Sequence, residues 1–495
     1  MSLRRMATGF AALTAATLFA QVSGFVVMVV LARRLAPEQI GAYSFALSLT
    51  GYFAIPANFG VTALATRDLV QRPQDARQIM GEVVSLQAVI SLIPYLALVA
   101  FAPVLAIDGD SRMILPIVGL GFVIEGLLFQ WVLYGSGRFG LMALARVLGA
   151  AAFAGGSLWF VEAGPNAVTT LGWVTLAGVV ATSAITGIIA VRDHGLPRVV
   201  SDTRELTRRF RLGVPLGVAA VMISIYYTVD SVMLGYIESA DTVGKYAIAY
   251  KIPLALINVG ALWGAVYFPH ASALAVSDRG LLSEHLNLFG SVACVGALPV
   301  LAGSILVGGD LMPRLFGPEY AVAAPAFVLL MAAAALIIAS YTYGVTAIAI
   351  GDERHYAIAV TLGAVANIAI NAVAIPLFGM VGAASATIAA EVVVFVYIYM
   401  RLRRLLGPLP LQVGRIARAL MATAIMVAVL VPLHELTVLV RVFIGIAIFV
   451  AAGWVLRVVR PEELRRAMRS ETSGAPLQPV PTDASLGTPE GPLVP

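Results

Sequence analysis

LARRLAPEQIGAYSFALSL, residues 31–49, returns about two hundred residues later as LGYIESADTVGKYAIAYKI, residues 234–252. With Gly41 and Tyr43 set over Gly244 and Tyr246, both copies run G-x-Y-x-x-A. In each, an apolar run ends, a short polar corner follows, and a second apolar run begins at the glycine. This pattern predicts a tight hairpin between two membrane helices, with glycine relieving crowding and tyrosine at the water interface. One unit used twice in corresponding places signals a transporter of two lobes with its site between them.

Composition sets the class. Hydrophobic residues make up 60% of the 495 and charged residues 12%, against about 25% charged in an ordinary soluble chain. That much apolar surface cannot be hidden from water, so the chain belongs in a bilayer. The net charge of +5 comes almost wholly from arginine, because Lys245 and Lys251 are the only lysines. The single Cys294 rules out a disulfide framework. The N-terminal Arg4 and Arg5 with the apolar run behind them imitate a signal peptide but run too long for one, which predicts an uncleaved first span.

Apolar segments long enough to span fall at about 8–31, 40–62, 80–106, 113–134, 139–161 and 168–191, then 212–236, 244–268, 286–307, 322–350, 355–376 and 379–400, with a last pair near 416–433 and 437–457. The expectation is an all-α integral membrane protein of about 14 transmembrane helices, in two pseudo-symmetric six-helix lobes plus a C-terminal pair. The N-lobe takes residues 1–191, a cytoplasmic linker 192–211, the C-lobe 212–402 and the pair 403–460. The Pro-, Gly-, Ser- and Thr-rich tail 461–495 reads as disordered. With both termini in the cytoplasm, 24 of the 32 basic residues fall inside and six outside, leaving Arg146 and Lys251 within spans. That bias obeys the positive-inside rule. A second echo, YGSGRFGLMALARVLGA at 134–150 and AIGDERHYAIAVTLGAV at 349–365, sets Gly135 over Gly351 and Arg138 over Arg354.

LARRLAPEQIGAYSFA resembles the first-loop signature of Wzx-type flippases for lipid-linked oligosaccharides, within the multidrug/oligosaccharidyl-lipid/polysaccharide exporter (MOP) superfamily. VDSVMLGYIESADTVGKYAIAYKI (229–252), LFGPEYAVA (315–323), AIGDERH (349–355) and IPLFGMVGAASATI (375–388) are similar too, in the same order. Together they span nearly the whole chain except the tail. Ala36 departs from the glycine usual in the family, a small change at an exposed corner. The resemblance implies two six-helix bundles around a cavity that opens alternately to either side, and a polyprenyl-pyrophosphate-linked glycan as cargo, for O-antigen or exopolysaccharide synthesis. Glycosyltransferases and a polymerase of the same pathway are the implied partners, beside the bilayer itself.

Ionisable groups inside spans are costly unless paired or wetted, and so mark candidate sites. They are Glu125, Arg146, Asp230, Lys251 and Glu391. Counted from their corners, Glu125 and Arg146 come level on adjacent helices, as do Asp230 and Lys251, which predicts one carboxylate–cation pair per lobe. Such pairs can bolt helices together or serve cargo and ion movement. Arg33, Arg34, Arg146 and Lys251 are candidates for the pyrophosphate; Glu125, Asp230 and Glu391 for ion coupling or charge pairing. Amides at Gln21, Asn58, Gln87, Gln130, Asn258, Asn367 and Asn371 are available to sugars or to neighbouring helices. No cofactor, metal or nucleic acid is expected. GSGRFG at 135–140 joins two membrane helices and follows no strand, His434-Glu435 lacks the second histidine of a zinc motif, and no Walker loop exists.

Three functions remain open: a glycan-lipid flippase, a drug or toxin exporter of the same superfamily, and a polytopic glycosyltransferase, ligase or polymerase. The last needs a sizeable outer loop or an acidic motif, and the outer loops are short. An exporter favours cavity acids without cations, against which Arg146 and Lys251 argue.

Overall fold

The computed structural model describes residues 3–58, 61–126, 129–198, 204, 206–208, 210–211, 228–409 and 412–459. The first part of the seventh expected span and the tail therefore lie outside the described residues. Within them the chain is helical and forms no strand. The helices are α1 (Leu3–Arg34), α2 (Pro37–Asn58), α3 (Val61–Gln71), α4 (Ala76–Leu105), α5 (Gly109–Gly126), α6 (Gln130–Gly135), α7 (Phe139–Phe160) and α8 (Ala167–His194). There follow α9 (228–237), α10 (Ala240–Ala249), α11 (Lys251–Ser277), α12 (Arg279–Phe316), α13 (Ala324–Ala349), α14 (Glu353–Leu406), α15 (Val413–Leu430) and α16 (Val438–Val455).

Among the described residues ten helical stretches are long and apolar enough to cross a membrane. The longest, α14, is two helices joined at Gly379, whose φ of 54° lies in the left-handed region. The arrangement is compatible with fourteen spans. The fourth is interrupted at Phe129, just before α6, and the eighth at Tyr250 between α10 and α11.

Packing sorts the helices into two groups. In the first, α1 packs on α7, α7 on α8, α8 on α5, and α2 and α4 on α5. In the second, α13 packs on α11, α12 and α14, while α15 and α16 lie along α12. The last pair is held by polar contacts: Arg415 donates to Ser291 Oγ at 3.1 Å, and Arg441 to Asp310 at 2.7 Å and the Leu306 carbonyl at 2.9 Å. After α8 the chain docks back on α4, where the Arg198 amide donates to the Arg77 carbonyl at 3.1 Å.

The second echo holds with a shifted register. Gly137 and Gly351 both have positive φ, 67° and 80°. Around them Gly137 N donates to Tyr134 O and Arg138 N to Leu133 O, as Gly351 N does to Ile348 O and Asp352 N to Ala347 O. Gly137, not Gly135, therefore matches Gly351, because the turn demands the left-handed residue there. The clamps on these two corners have opposite polarity. Arg138 pairs with Asp193 at the end of α8 at 3.0 Å, whereas Asp352 accepts from Arg401 near the end of α14 at 2.8 and 3.2 Å.

Candidate functional site between the lobes

The two groups meet at the corners quoted at the outset. α2 crosses α10 with Gly41 and Gly244 at the crossing. A Cβ on Gly41 would overlap the Ala240 carbonyl and stand 2.9 Å from the Gly244 amide nitrogen. One on Gly244 would overlap the Pro37 carbonyl and stand 2.9 Å from the Gly41 amide nitrogen. The repeated glycine thus admits the other lobe's backbone, rather than easing its own corner. The tyrosines also depart from expectation. Tyr43 and Tyr246 are buried, at 4% and 1% exposure, because each is the seventh residue of its helix and lies well inside the corner. Tyr43 shares a hydrogen bond with Thr175 Oγ1 at 3.0 Å.

Arg33 and Arg34 take part in the same closure. Arg33 reaches across the lobes and donates to the Leu315 carbonyl at 2.8 Å and to the Arg314 carbonyl, at the C-terminal end of α12. Arg34 donates to the Leu158 and Val161 carbonyls at the end of α7. Both guanidinium groups sit on carbonyl-rich helix ends, where positive charge is favoured. Tyr236 Oη adds a bond to the Leu105 carbonyl at 2.8 Å, and its ring meets Phe45 edge-on at 5.4 Å.

Beneath this closed end lie two chambers that share Ala20, Tyr43 and Phe153. The first, of about 290 Å³, is lined from one lobe by Gln21 and Tyr43 and from the other by Lys251 and Asn258. The second, of about 400 Å³, is lined by Glu125, Gln130, Arg146, Thr175, Thr182 and Ser183. Arg146 donates to Thr17 Oγ1 at 2.7 Å and to Tyr134 Oη at 3.4 Å.

The deep cations thus face adjoining chambers, Lys251 the one lined by both groups of helices and Arg146 the one lined by the first group alone, but neither expected ion pair forms among the described residues. Glu125 is within electrostatic range of Arg146 on the same wall, while the guanidinium is taken up by Thr17 and Tyr134. Lys251 stands five residues past Tyr246, roughly 140° around the helix at about 100° per residue. That rotation aims Tyr246 at Asp230 and Lys251 at the cavity.

Asp230 has a ring of neutral donors instead. Tyr246 Oη and Thr387 Oγ1 each donate to Oδ2 at 2.8 Å, and Asn371 Nδ2 donates to Oδ1 at 2.6 Å. Asn371 also donates to Asn367 Oδ1 at 3.0 Å, and its own Oδ1 is buried without a partner. Of the seven amides, Gln21, Gln130 and Asn258 line the cavity and Asn367 and Asn371 join this ring. Gln87 is buried with both side-chain atoms unpartnered, and the Asn58 side chain lies outside the described residues. Thr387 is not singled out by the sequence, and Tyr246 is expected there only as a corner tyrosine at the water interface. The i, i+4 spacings Asn367–Asn371 and Thr387–Glu391 were the available signal.

Two groups of helices, an apolar exterior and chambers that hold a few charged and amide side chains define a multi-pass membrane protein with a transporter fold. The model of the polysaccharide biosynthesis protein family matches residues 6–275, and the chain belongs to that family. Two curated relatives come from Haloferax volcanii. One, "Probable flippase AglR", is 33% identical over 172 residues, 33% of this chain and 35% of that protein. The other, "Probable low-salt glycan biosynthesis flippase Agl15", is 24% identical over 367 residues, 72% of this chain and 75% of that protein. The match to the first thus spans about a third of its length. Among solved structures, "Lipid II flippase MurJ, inward closed conformation" aligns with a TM-score of 0.75 at 15% identity, covering 92% of this chain and 99% of that one. An inward-facing MATE-family transporter of the MOP superfamily aligns at 0.63 with 18% identity, over 79% and 95% of the two chains. The fold is that of these two solved transporters.

Proposed function

We propose that this protein is a flippase that carries a polyprenyl-pyrophosphate-linked oligosaccharide from the inner to the outer leaflet by alternating access. The observation that carries this is the exposure of Arg146 and Lys251, one from each lobe, to two adjoining chambers beneath the closed end. A pyrophosphate needs cations in a site that water can reach, and hydroxyl or amide side chains answer the sugars. Gln21, Asn258, Thr175 and Thr182 stand beside those cations. The names of the two relatives point the same way.

In this proposal the arginine-rich end and both termini are cytoplasmic, the lobes are 1–191 and 212–402, and the Gly41–Gly244 crossing closes the outer side. Arg33 and Arg34 act as clasps in this closed state and become free for the leaving cargo when it opens. Asp230 is the ion-coupling residue. It is buried, its hydrogen-bond donors are neutral, and a bound proton or monovalent cation would change how its ring holds α9 against both halves of α14. Glycosyltransferases and a polymerase would supply and consume the cargo.

The test pairs surface glycan with the intracellular lipid-linked pool. Loss of the protein should lower the first and raise the second. Arg146→Gln or Lys251→Gln should do the same at normal protein levels. Glu125 on the cavity wall favours a second reading, export of an amphipathic cation; deletion would then bring drug sensitivity with surface glycan intact.

A further inference from the structure

A separate cavity lies within the C-terminal group of helices, between α13 and the two halves of α14. It measures about 220 Å³ and is walled by Tyr341, Gly344, Tyr356, Glu391, Phe395 and Ile398. Tyr356 stands three residues into α14, and Ile398 three residues before Arg401, so the cavity reaches toward the arginine-rich end. Glu391 is 3% exposed, a carboxylate otherwise sealed inside the lobe. A cavity of that size with tyrosine and carboxylate oxygens on its wall has room for several ordered waters.

Depth connects this cavity to Asp230. Asn371 and Thr387 stand eight residues either side of Gly379, about 12 Å from that corner at about 1.5 Å per residue. Asp230 bonds both and shares their level. Glu391 follows Thr387 by one helical turn, about 6 Å deeper. Tyr250 stands ten residues beyond Ala240, about 15 Å from the same end, and so falls between the two carboxylates. Its ring stacks on Tyr246 at 6.2 Å, Tyr246 donates to Asp230, and Tyr250 lies within electrostatic range of both Asp230 and Glu391. Among the described residues, titratable groups near Glu391 include Tyr250 where α10 meets α11, Tyr341 on α13 and Tyr356 on α14.

The geometry points to Glu391 and its cavity as a proton path that joins Asp230 to the arginine-rich face through Tyr250. The path is separate from the cargo cavity. A proton leaving Asp230 is gained by Glu391, with the Tyr250 phenol passing its own proton to one carboxylate as it accepts from the other. The summed charge of the two acids stays constant until Glu391 releases its proton to water in the cavity. This inference rests on Asp230 as the coupling residue. It implies that the ion leaves toward the arginine-rich side without crossing the space occupied by cargo.

The decisive experiment titrates the full chain in proteoliposomes by infrared spectroscopy, reading protonated-carboxyl bands while pH is changed on the arginine-rich side alone. Wild type should show bands that Asp230→Asn and Glu391→Gln each remove one by one. In Glu391→Gln the Asp230 band should stop responding to that side, in Glu391→Asp it should respond again, and in Tyr250→Phe it should respond more slowly. An Asp230 band that still titrates from that side in Glu391→Gln overturns the path. So does one that follows sodium and ignores pH. A parallel transport arm uses a tenfold proton gradient, which supports up to about tenfold accumulation at one proton per cargo. Glu391→Gln should reduce that stimulation to none. Full stimulation in this variant overturns the path while leaving the flippase intact. A wild type that moves no glycan lipid overturns the flippase, and the infrared arm still judges the path.

Discussion

Replacing Gly41 with alanine should drive the lobes apart at their closed end. The added Cβ meets backbone on two sides, the Ala240 carbonyl and the Gly244 amide. No rotamer change can clear a backbone atom, so the helices themselves must separate. Overpacking a tight contact costs about 1–3 kcal/mol, which moves a two-state equilibrium roughly 5- to 150-fold. Opposing this, Arg33 holds the α12 carbonyls, and each such charge-assisted bond is worth about 1.5–3 kcal/mol. Gly41→Ala alone should therefore populate the opened state only partly, and Gly41→Ala with Arg33→Ala much more. Gly244→Ala should add little to Gly41→Ala, because once the crossing has opened the second methyl meets no backbone. The assay is labelling of a cavity thiol, Asn258→Cys in a Cys294→Ser background, by an impermeant reagent added outside. Labelling should rise in the order wild type, Gly41→Ala, then the double variant with Arg33→Ala. Equal labelling in all three, with normal protein levels, refutes the crossing as the closure.

Other predictions are briefer. A cysteine at position 204 should react only from the cytoplasmic side, and outside labelling in intact cells would reverse the proposed orientation. The Asp352 carboxyl is held below its usual range, first by its bond from Arg401 and then by His355. A depressed carboxyl stabilises the fold above its unfolded value near about pH 4 and loses this as pH falls through its lower folded value. Wild type should therefore unfold at a higher temperature than Asp352→Asn at neutral pH, and the gap should close in strong acid. A gap independent of pH would show that the charge is idle there. Removing Asp310 as Asp310→Ala should loosen α16 by leaving Arg441, 3% exposed, without its carboxylate. Proteolysis near residue 434 at the wild-type rate would contradict this.

Much of the fold was legible because a bilayer enforces it. Apolar length, arginine placement and the repeated G-x-Y-x-x-A each report a constraint that acts on one helix or one corner. The cavity cations were legible for the same reason, since Arg146 and Lys251 are expensive anywhere else. Partners were less accessible. Level depth brought Asp230 and Lys251 together on paper, but helical phase, set around the break at Tyr250, turns them to different faces. Arg33 and Arg34 looked like exit cations, yet the helix ends that hold them belong to α12 and α7, far away in sequence. The role of Gly41 was hidden because its neighbour, Ala240, comes from the other lobe. Sequence spacing records what lies along a helix better than what lies across it.

The opposite polarity of the two corner clamps bears on how the chain assembles. Many similar helices leave the translocon in succession, and the internal resemblance invites a helix of one half to dock on the other half's corner. Asp193 brought to the Asp352 corner would set acid against acid, and Arg401 at the Arg138 corner would set two guanidinium groups together. Like charges forced into contact penalise the wrong partner more strongly than a good contact rewards the right one. An inherited duplication with inverted charges would therefore sort its own helices during insertion, each half rejecting the other's closing span.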